Sequence, residues 1–215
     1  LQRVLERMTE EEIDLQGSGR TDAGVHAKGQ IAHFHTKAVW DVEEIKKYMN
    51  EYLPEDIAIL QVEQVDGRFH SRLNAKSKTY EYRIYKGSKP DVFERRYVWP
   101  MEEKLDVAKM REATGHLTGT HDFMAFCGNR RMKKTTVRTI YQIEIEETEH
   151  EIRMRFTGSG FLQNMVRILT GTLVEVGRGE RTPEDMEWIL ESRDRQQAGF
   201  LMPAKGLTLM EVKYK

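Results

Sequence analysis

The sequence predicts an α+β fold built on antiparallel sheets. Two observations lead there: segments of strand-like alternation and of helical periodicity are intermixed along the 215 residues, and no βαβ rhythm orders them. Leu1 to Met8 reads as the remnant of a helix, and "QIAHFHT" (30–36) alternates as a strand. Asp41 followed by Glu44 forms a capping box, after which Val42, Ile45, Met49 and Tyr52 recur at helical spacing until Pro54 stops the run. "DIAILQVEQV" (56–65) and "KSKTYEYRIY" (76–85) read as strands, the second with Tyr80, Tyr82 and Ile84 on one face.

Gly87, Pro90 and Pro100 break the pattern in "GSKPDVFERRYVWPMEEKL", which marks the join between two halves, residues 1–90 and 91–215. The second half repeats the scheme loosely. Val107, Met110, Ala113 and Leu117 make a helical stripe, "VRTIYQIEIEE" and "EIRMRFTG" read as a β-hairpin, and Phe161 to Val176 is a strongly apolar helix. Thr182 is expected to cap a further helix with Pro183 at its first position, and "GLTLMEVKY" closes the chain as a strand.

Composition narrows the function. With 39% hydrophobic and 32% charged residues and no apolar run near the roughly 18 residues of a membrane span, the chain reads as soluble and globular, with nothing to anchor it in a bilayer. The single cysteine, Cys127, excludes an intramolecular disulfide framework and a cysteine-rich zinc site, which suits a reducing cytoplasm. His33 and His35 share a strand face, but two ligands without a third make no metal site.

A net charge of −1 would argue against a nucleic-acid partner if charge were evenly spread. It is not. Residues 67–80, 123–143 and 152–174 hold several Arg and Lys and no Asp or Glu, while acids gather in stretches such as "IEIEETEHE". A fourth stretch, "GSGRTDAGVHAKGQ" (17–30), has one acid, Asp22, the only one between Leu15 and Trp40. Four such stretches favour a polyanion over ordinary solvated faces.

Asp22 fits no familiar glycine motif, because G-x-G-x-x-G needs a glycine where Asp22 stands and the Gly-Lys-Ser/Thr of a P-loop is absent. "TDAG" weakly resembles the aspartic-peptidase motif, but no second copy supplies the partner acid, and a glycosidase would also want two carboxylates. Two readings remain open for a lone carboxylate beside Arg20. It is a nucleophile or electrostatic group kept ionised by a nearby cation, or it is a turn residue bonded to its own backbone.

"GSGRTDAGVHAKGQIAHF" closely resembles the signature of the TruA family of tRNA pseudouridine synthases, and "LPEDIAI", "RFHSRLNAKSKTYEYRIY", "HDFMAF", "FLQNMVRILTGTLVEVGRG" and "AKGLTLMEVKY" are similar to its later blocks, in order. Together they cover nearly the whole chain. The resemblance implies two ferredoxin-like (RRM-like) halves whose sheets meet at a basic cleft, and a homodimer acting on the anticodon stem-loop of tRNA at positions 38, 39 and 40. It implies a cofactor-free and metal-free isomerisation of uridine to pseudouridine in which the C1′–N1 bond breaks, the uracil turns, and the base rejoins through C5.

Site residues follow from the same resemblance. Asp22 matches the catalytic nucleophile, Arg167 the arginine paired with it, Tyr80 the tyrosine that stacks on the flipped uracil, and Leu207 an apolar residue near the target base. Arg20 is the family's candidate for filling the space the base vacates. Phe69, His70 and Arg72, with Arg130, Arg131, Lys133, Lys134 and Arg138, are the expected phosphate and stem contacts. Family members carry a strand with Tyr-Asp-Gly and Gly-Trp-Gln segments ahead of the first helix, whereas this chain begins inside that helix, so its first sheet is expected to lack a strand. Two other readings compete: a catalytically silent RNA-binding module, which the intact Asp22, Tyr80 and Arg167 set opposes, and a nucleoside hydrolase, which would not need the basic stretches.

Overall fold

A computed structural model describes residues 1–129 and 131–215. In chain order the elements are α1 (Gln2–Thr9), β1 (Gln16–Gly17), β2 (His26–Ala27), β3 (Ala32–His33), α2 (Val42–Tyr52), β4 (Ser77–Lys86), β5 (Trp99–Met101), α3 (Val107–Leu117), β6 (Gly119–Asp122), β7 (Val137–Glu147), β8 (Glu151–Gly158), α4 (Met165–Gly177), α5 (Asp185–Ser192) and β9 (Leu207–Lys213). Single 3-10 turns occupy Met124–Phe126 and Ala204–Gly206. Helices and strands are mixed as an α+β fold. The residues gather into two compact units, one of Leu1–Arg20 and Ile31–Asn74, the other of Thr21–Gln30 and Ala75–Lys215.

The first unit is built on α1 and α2. The capping box forms as its spacing requires: the Asp41 carboxylate accepts from the Glu43 amide at 2.9 Å, and the Glu44 carboxylate accepts from the Asp41 amide at 3.4 Å. Ile45 and Met49 of α2 pack with Leu5, Met8 and Ile13 in a small core, while Tyr52, expected on the same stripe, is exposed. β1 and β3 pair antiparallel over two residues. The expected strand at 56–65 is absent. At Ile59 the main chain is bonded by a side chain instead of a strand: Asn50 donates to the Ile59 carbonyl (2.9 Å) and accepts from the Ile59 amide (2.7 Å), and Ile59 and Val62 pack against the small core.

The second unit is a seven-stranded sheet ordered β2-β9-β4-β8-β7-β6, with β5 also on β4. The long pairings are antiparallel as expected, but β2 on β9 and β5 on β4 are parallel, so the sheet is mixed. The expected hairpin is β7–β8. One face of β4 carries Tyr80, Tyr82 and Ile84 opposite Phe156, Met154 and Ile152 of β8. Tyr82 and Ile84 are buried in the large core with Val107, Met110, Ala113 and Leu117 of α3 and nearly all of α4. Thr182 does not cap α5 through its side chain. Its backbone amide is taken by the Asp185 carboxylate at 2.8 Å, and the helix proper starts at Asp185 rather than at Pro183.

Every residue of α4 is buried except Arg167 and Glu175, the two that carry charge. Against this helix lies the segment 198–202, so close that a Cβ at Gly171 would stand 2.0 Å from the Phe200 carbonyl oxygen. Only glycine allows that approach. Gly171→Ala is expected to destabilise the protein by about 1–3 kcal/mol, read as a lower urea midpoint, and to reduce turnover because the displaced segment carries the Met202 carbonyl described below.

Candidate active site

Asp22 lies in a tight turn closed by the Val25 amide donating to the Asp22 carbonyl at 3.0 Å, with Gly24 in the left-handed region at φ 83°. The turn leads into β2, which is pinned to β9: His26 and Ala27 pair with Thr208 and Leu209, and the Lys28 amide donates to the Leu209 carbonyl at 2.8 Å. On the outer side, His26 Nε2–H donates to the Arg96 carbonyl at 2.8 Å, and its ring meets Tyr97 edge-on at 4.7 Å. The strand fixes where the carboxylate points.

Arg167 reaches Asp22 from α4, its Nη1 3.1 Å from the carboxylate Oδ2. The arginine side chain is 12% exposed and the aspartate 35%. A guanidinium so enclosed has to be both neutralised and hydrogen-bonded, and the second requirement is met by Nε donating to the Met202 carbonyl at 2.6 Å. Segment 202–203 is held a second time by the Tyr82 hydroxyl, which donates to the Pro203 carbonyl at 2.8 Å. Burial pushes the Tyr82 hydroxyl well above the ordinary tyrosine range, only partly offset by Arg167, so it stays a donor.

Tyr80 occupies the end of the buried face of β4, opposite Phe156 and Leu209, and its ring meets Phe161 edge-on at 5.4 Å. Burial first, and the Asp22 charge second, push its hydroxyl up to about 12. It is therefore a neutral donor at physiological pH. Leu207 opens β9 directly opposite Tyr82 and is buried within the core.

Asp22, Arg167, Tyr80 and Leu207 thus lie on adjoining elements of the second unit, and Asp22 acts electrostatically on Tyr80 as well as pairing with Arg167. The other expected contacts are carried by other segments of the chain. Arg131, Lys133 and Lys134 are exposed between the turn at Met124–Phe126 and β7, with no carboxylate partner among the described residues, and Arg130 falls outside them. Arg138, in β7, donates to the Thr135 and Val137 carbonyls. Phe69, His70 and Arg72 belong to the first unit, where the His70 ring lies tilted against His33 at 4.7 Å and its Nδ1 accepts from the Arg72 and Leu73 amides. Arg20 is exposed at the end of that unit's first segment.

Sequence reasoning missed the Met202 carbonyl, the Tyr82 hydroxyl and Phe161. The first is a backbone atom, which carries no residue signature. Phe161 and Tyr82 stand inside the family-like blocks but read as core. Among the described residues no group of three His, Cys, Asp or Glu could hold a metal ion, and no helix is long and apolar enough to cross a membrane.

A largely enclosed arginine paired with one carboxylate beside a neutral tyrosine, on the mixed sheet of an α+β fold, defines among the described residues a single-carboxylate site rather than a paired-acid one. Residues 1–74 and 113–215 match the family model described as tRNA pseudouridine synthase, and the chain belongs to that family. It is 46% identical over 214 residues to the tRNA pseudouridine synthase A of Bacillus sp. (strain KSM-64), covering all of this chain and 87% of that protein. It is 45% identical to the enzyme of the same name from Bacillus subtilis (strain 168), over 96% of this chain and 83% of the relative. The tRNA pseudouridine synthase A 2 of Clostridium tetani is 45% identical over all of this chain and 86% of its own length. The chain is accordingly an isomerase of the pseudouridine-synthase class.

The raised Tyr80 value has a measurable sign. Between pH 10, where the unfolded side chain ionises, and about 12, where the folded one does, the folded state holds the extra proton, so stability falls as pH rises. Tyr80→Phe is expected to flatten that fall in urea unfolding curves across pH 9.5–11.5, and an unchanged slope would place the hydroxyl in water.

Proposed function

We propose that this chain isomerises uridine to pseudouridine in tRNA, in the anticodon stem-loop at positions 38, 39 and 40, with Asp22 as nucleophile. The observation that carries this is the Asp22–Arg167 pair at 3.1 Å beside Tyr80. The reaction conserves atoms: the C1′–N1 bond breaks, a C1′–C5 bond forms, C5 gives up its proton and N1 gains one. No co-reactant is required, so the protein must supply an attacking oxygen, a place to turn the base and a donor close to it.

Asp22 supplies the oxygen. Its carboxylate is ion-paired to Arg167, yet at 35% side-chain exposure it keeps access to a substrate. Tyr80 presents a ring for stacking and a neutral hydroxyl that can donate to the free uracil while it turns. A stacked nucleotide cannot reach the carboxylate, so the base leaves the helix at a cost of a few kcal/mol, and Arg20, two residues before Asp22, fills the gap. Arg131, Lys133, Lys134 and Arg138, with Arg130, Phe69, His70 and Arg72, bind phosphates and stem. A cytoplasmic homodimer belongs to the same reading and rests on the family resemblance. A silent RNA-binding module would have no use for an arginine locked onto an accessible carboxylate.

Asp22→Asn keeps the shape but loses the attacking charge. It is expected to abolish uridine conversion, followed by carbodiimide labelling of tRNA, while tRNA affinity stays within a few fold; residual turnover above about 1% would remove Asp22 from the nucleophile's role. Neutralising Arg130, Arg131, Lys133 and Lys134 together should leave turnover at saturating tRNA nearly unchanged. Binding should weaken, and its salt slope should shrink by roughly 0.7 to 0.9 for each phosphate that is no longer neutralised. A slope that does not move would make these side chains an ordinary solvated face.

A further inference from the structure

Segment 202–207 is fixed at several points around the candidate site. Met202 and Pro203 are held through their carbonyls by Arg167 and Tyr82, and Leu207 is locked into β9 opposite Tyr82. A Cβ on Gly24, two residues from Asp22, would stand 3.4 Å from the Ala204 Cβ. The next residue is Lys205. It sits in the 3-10 turn Ala204–Gly206, partly exposed, with Nζ 5.0 Å from the centroid of the Trp99 ring, which β5 holds against Ile84 of β4.

That arrangement differs from the one found at nine other cations of the second unit. Arg83, Lys86, Arg153, Arg155, Arg167, Arg178, Arg181, Arg193 and Lys213 each meet a carboxylate within 4.0 Å, whereas Lys205 pairs with none among the described residues. An aromatic face orients an ammonium without cancelling its charge. A cation so held, one residue from the approach to the Asp22 turn, is placed to meet an anion that arrives with the substrate.

We propose that Lys205 binds a phosphate of the RNA backbone next to the target nucleotide, with Trp99 holding the ammonium in place beforehand. This rests on the reading of the chain as a tRNA-modifying enzyme, and it assigns a binding role to a residue that stands in a family-like block but to which the resemblance gives no role. Lys205 positions substrate through charge and takes no part in bond making.

The test uses the full chain and an unmodified tRNA transcript, with binding and turnover measured separately between 50 and 200 mM salt. Lys205→Ala should reduce the salt slope of binding by about 0.7 to 0.9, so that affinity falls about threefold less over that range, and should raise KM with kcat unchanged. Lys205→Arg should restore the slope. Trp99→Leu should also raise KM, and combining it with Lys205→Ala should add nothing further, since both act through the same ammonium. An unaltered slope in Lys205→Ala, or a fall in kcat at saturating tRNA, would overturn the proposal, and additive effects would overturn the part given to Trp99. Absence of turnover in the unmodified chain would instead count against the proposed reaction, while the binding slopes would still decide Lys205.

Discussion

The site depends on a guanidinium that has nowhere else to go. Arg167 emerges from a helix whose uncharged positions are all buried, and an enclosed arginine is tolerable only if its charge and its donors are satisfied nearby. Asp22 meets the first need and the Met202 carbonyl the second. The geometry of the carboxylate is therefore set by the helix that supports the core of the second unit, and the stability of that core and the aim of the carboxylate are linked through one side chain.

The remaining interactions serve this one. β2 is only two residues long, yet its pairing with β9 ties the Asp22 turn to the strand that also faces Tyr80 and Tyr82. The bulge between Thr79 and Tyr80 shifts the β4–β9 register by one residue just where Tyr80 comes beside Leu209. Burial and the Asp22 charge then act on the Tyr80 hydroxyl in the same direction, and both favour the protonated form. A carboxylate that adds to burial in favouring the protonated tyrosine and an arginine that keeps the carboxylate in place form a small electrostatic circuit.

Much of this was legible in the sequence, for identifiable reasons. The capping box at Asp41 and the stripe from Val107 to Leu117 are local, and local patterns survive folding. The isolation of Asp22 among basic stretches pointed to a special carboxylate, but the choice between a turn residue and an ion-paired one was open on spacing alone. The two are not exclusive, since Asp22 closes a turn with its backbone and meets Arg167 with its side chain. What could not be read were tertiary matters: that residues 56–65 form no strand and that Asn50 bonds the main chain of Ile59, that α5 starts two residues late, and that a main-chain oxygen completes the arginine's coordination.

That last feature bears on how the sequence can change over time. The atoms that grip Arg167 and Tyr82 at residues 202 and 203 belong to peptide carbonyls, which every amino acid possesses. The chemical identity of these two side chains is thus uncoupled from the task performed at their positions. Met202 is constrained by the volume of the core around it, not by polarity or charge. Drift here can proceed through apolar replacements of similar size while the grip stays the same, and a comparison of letters would register divergence at a place where the physics has stood still.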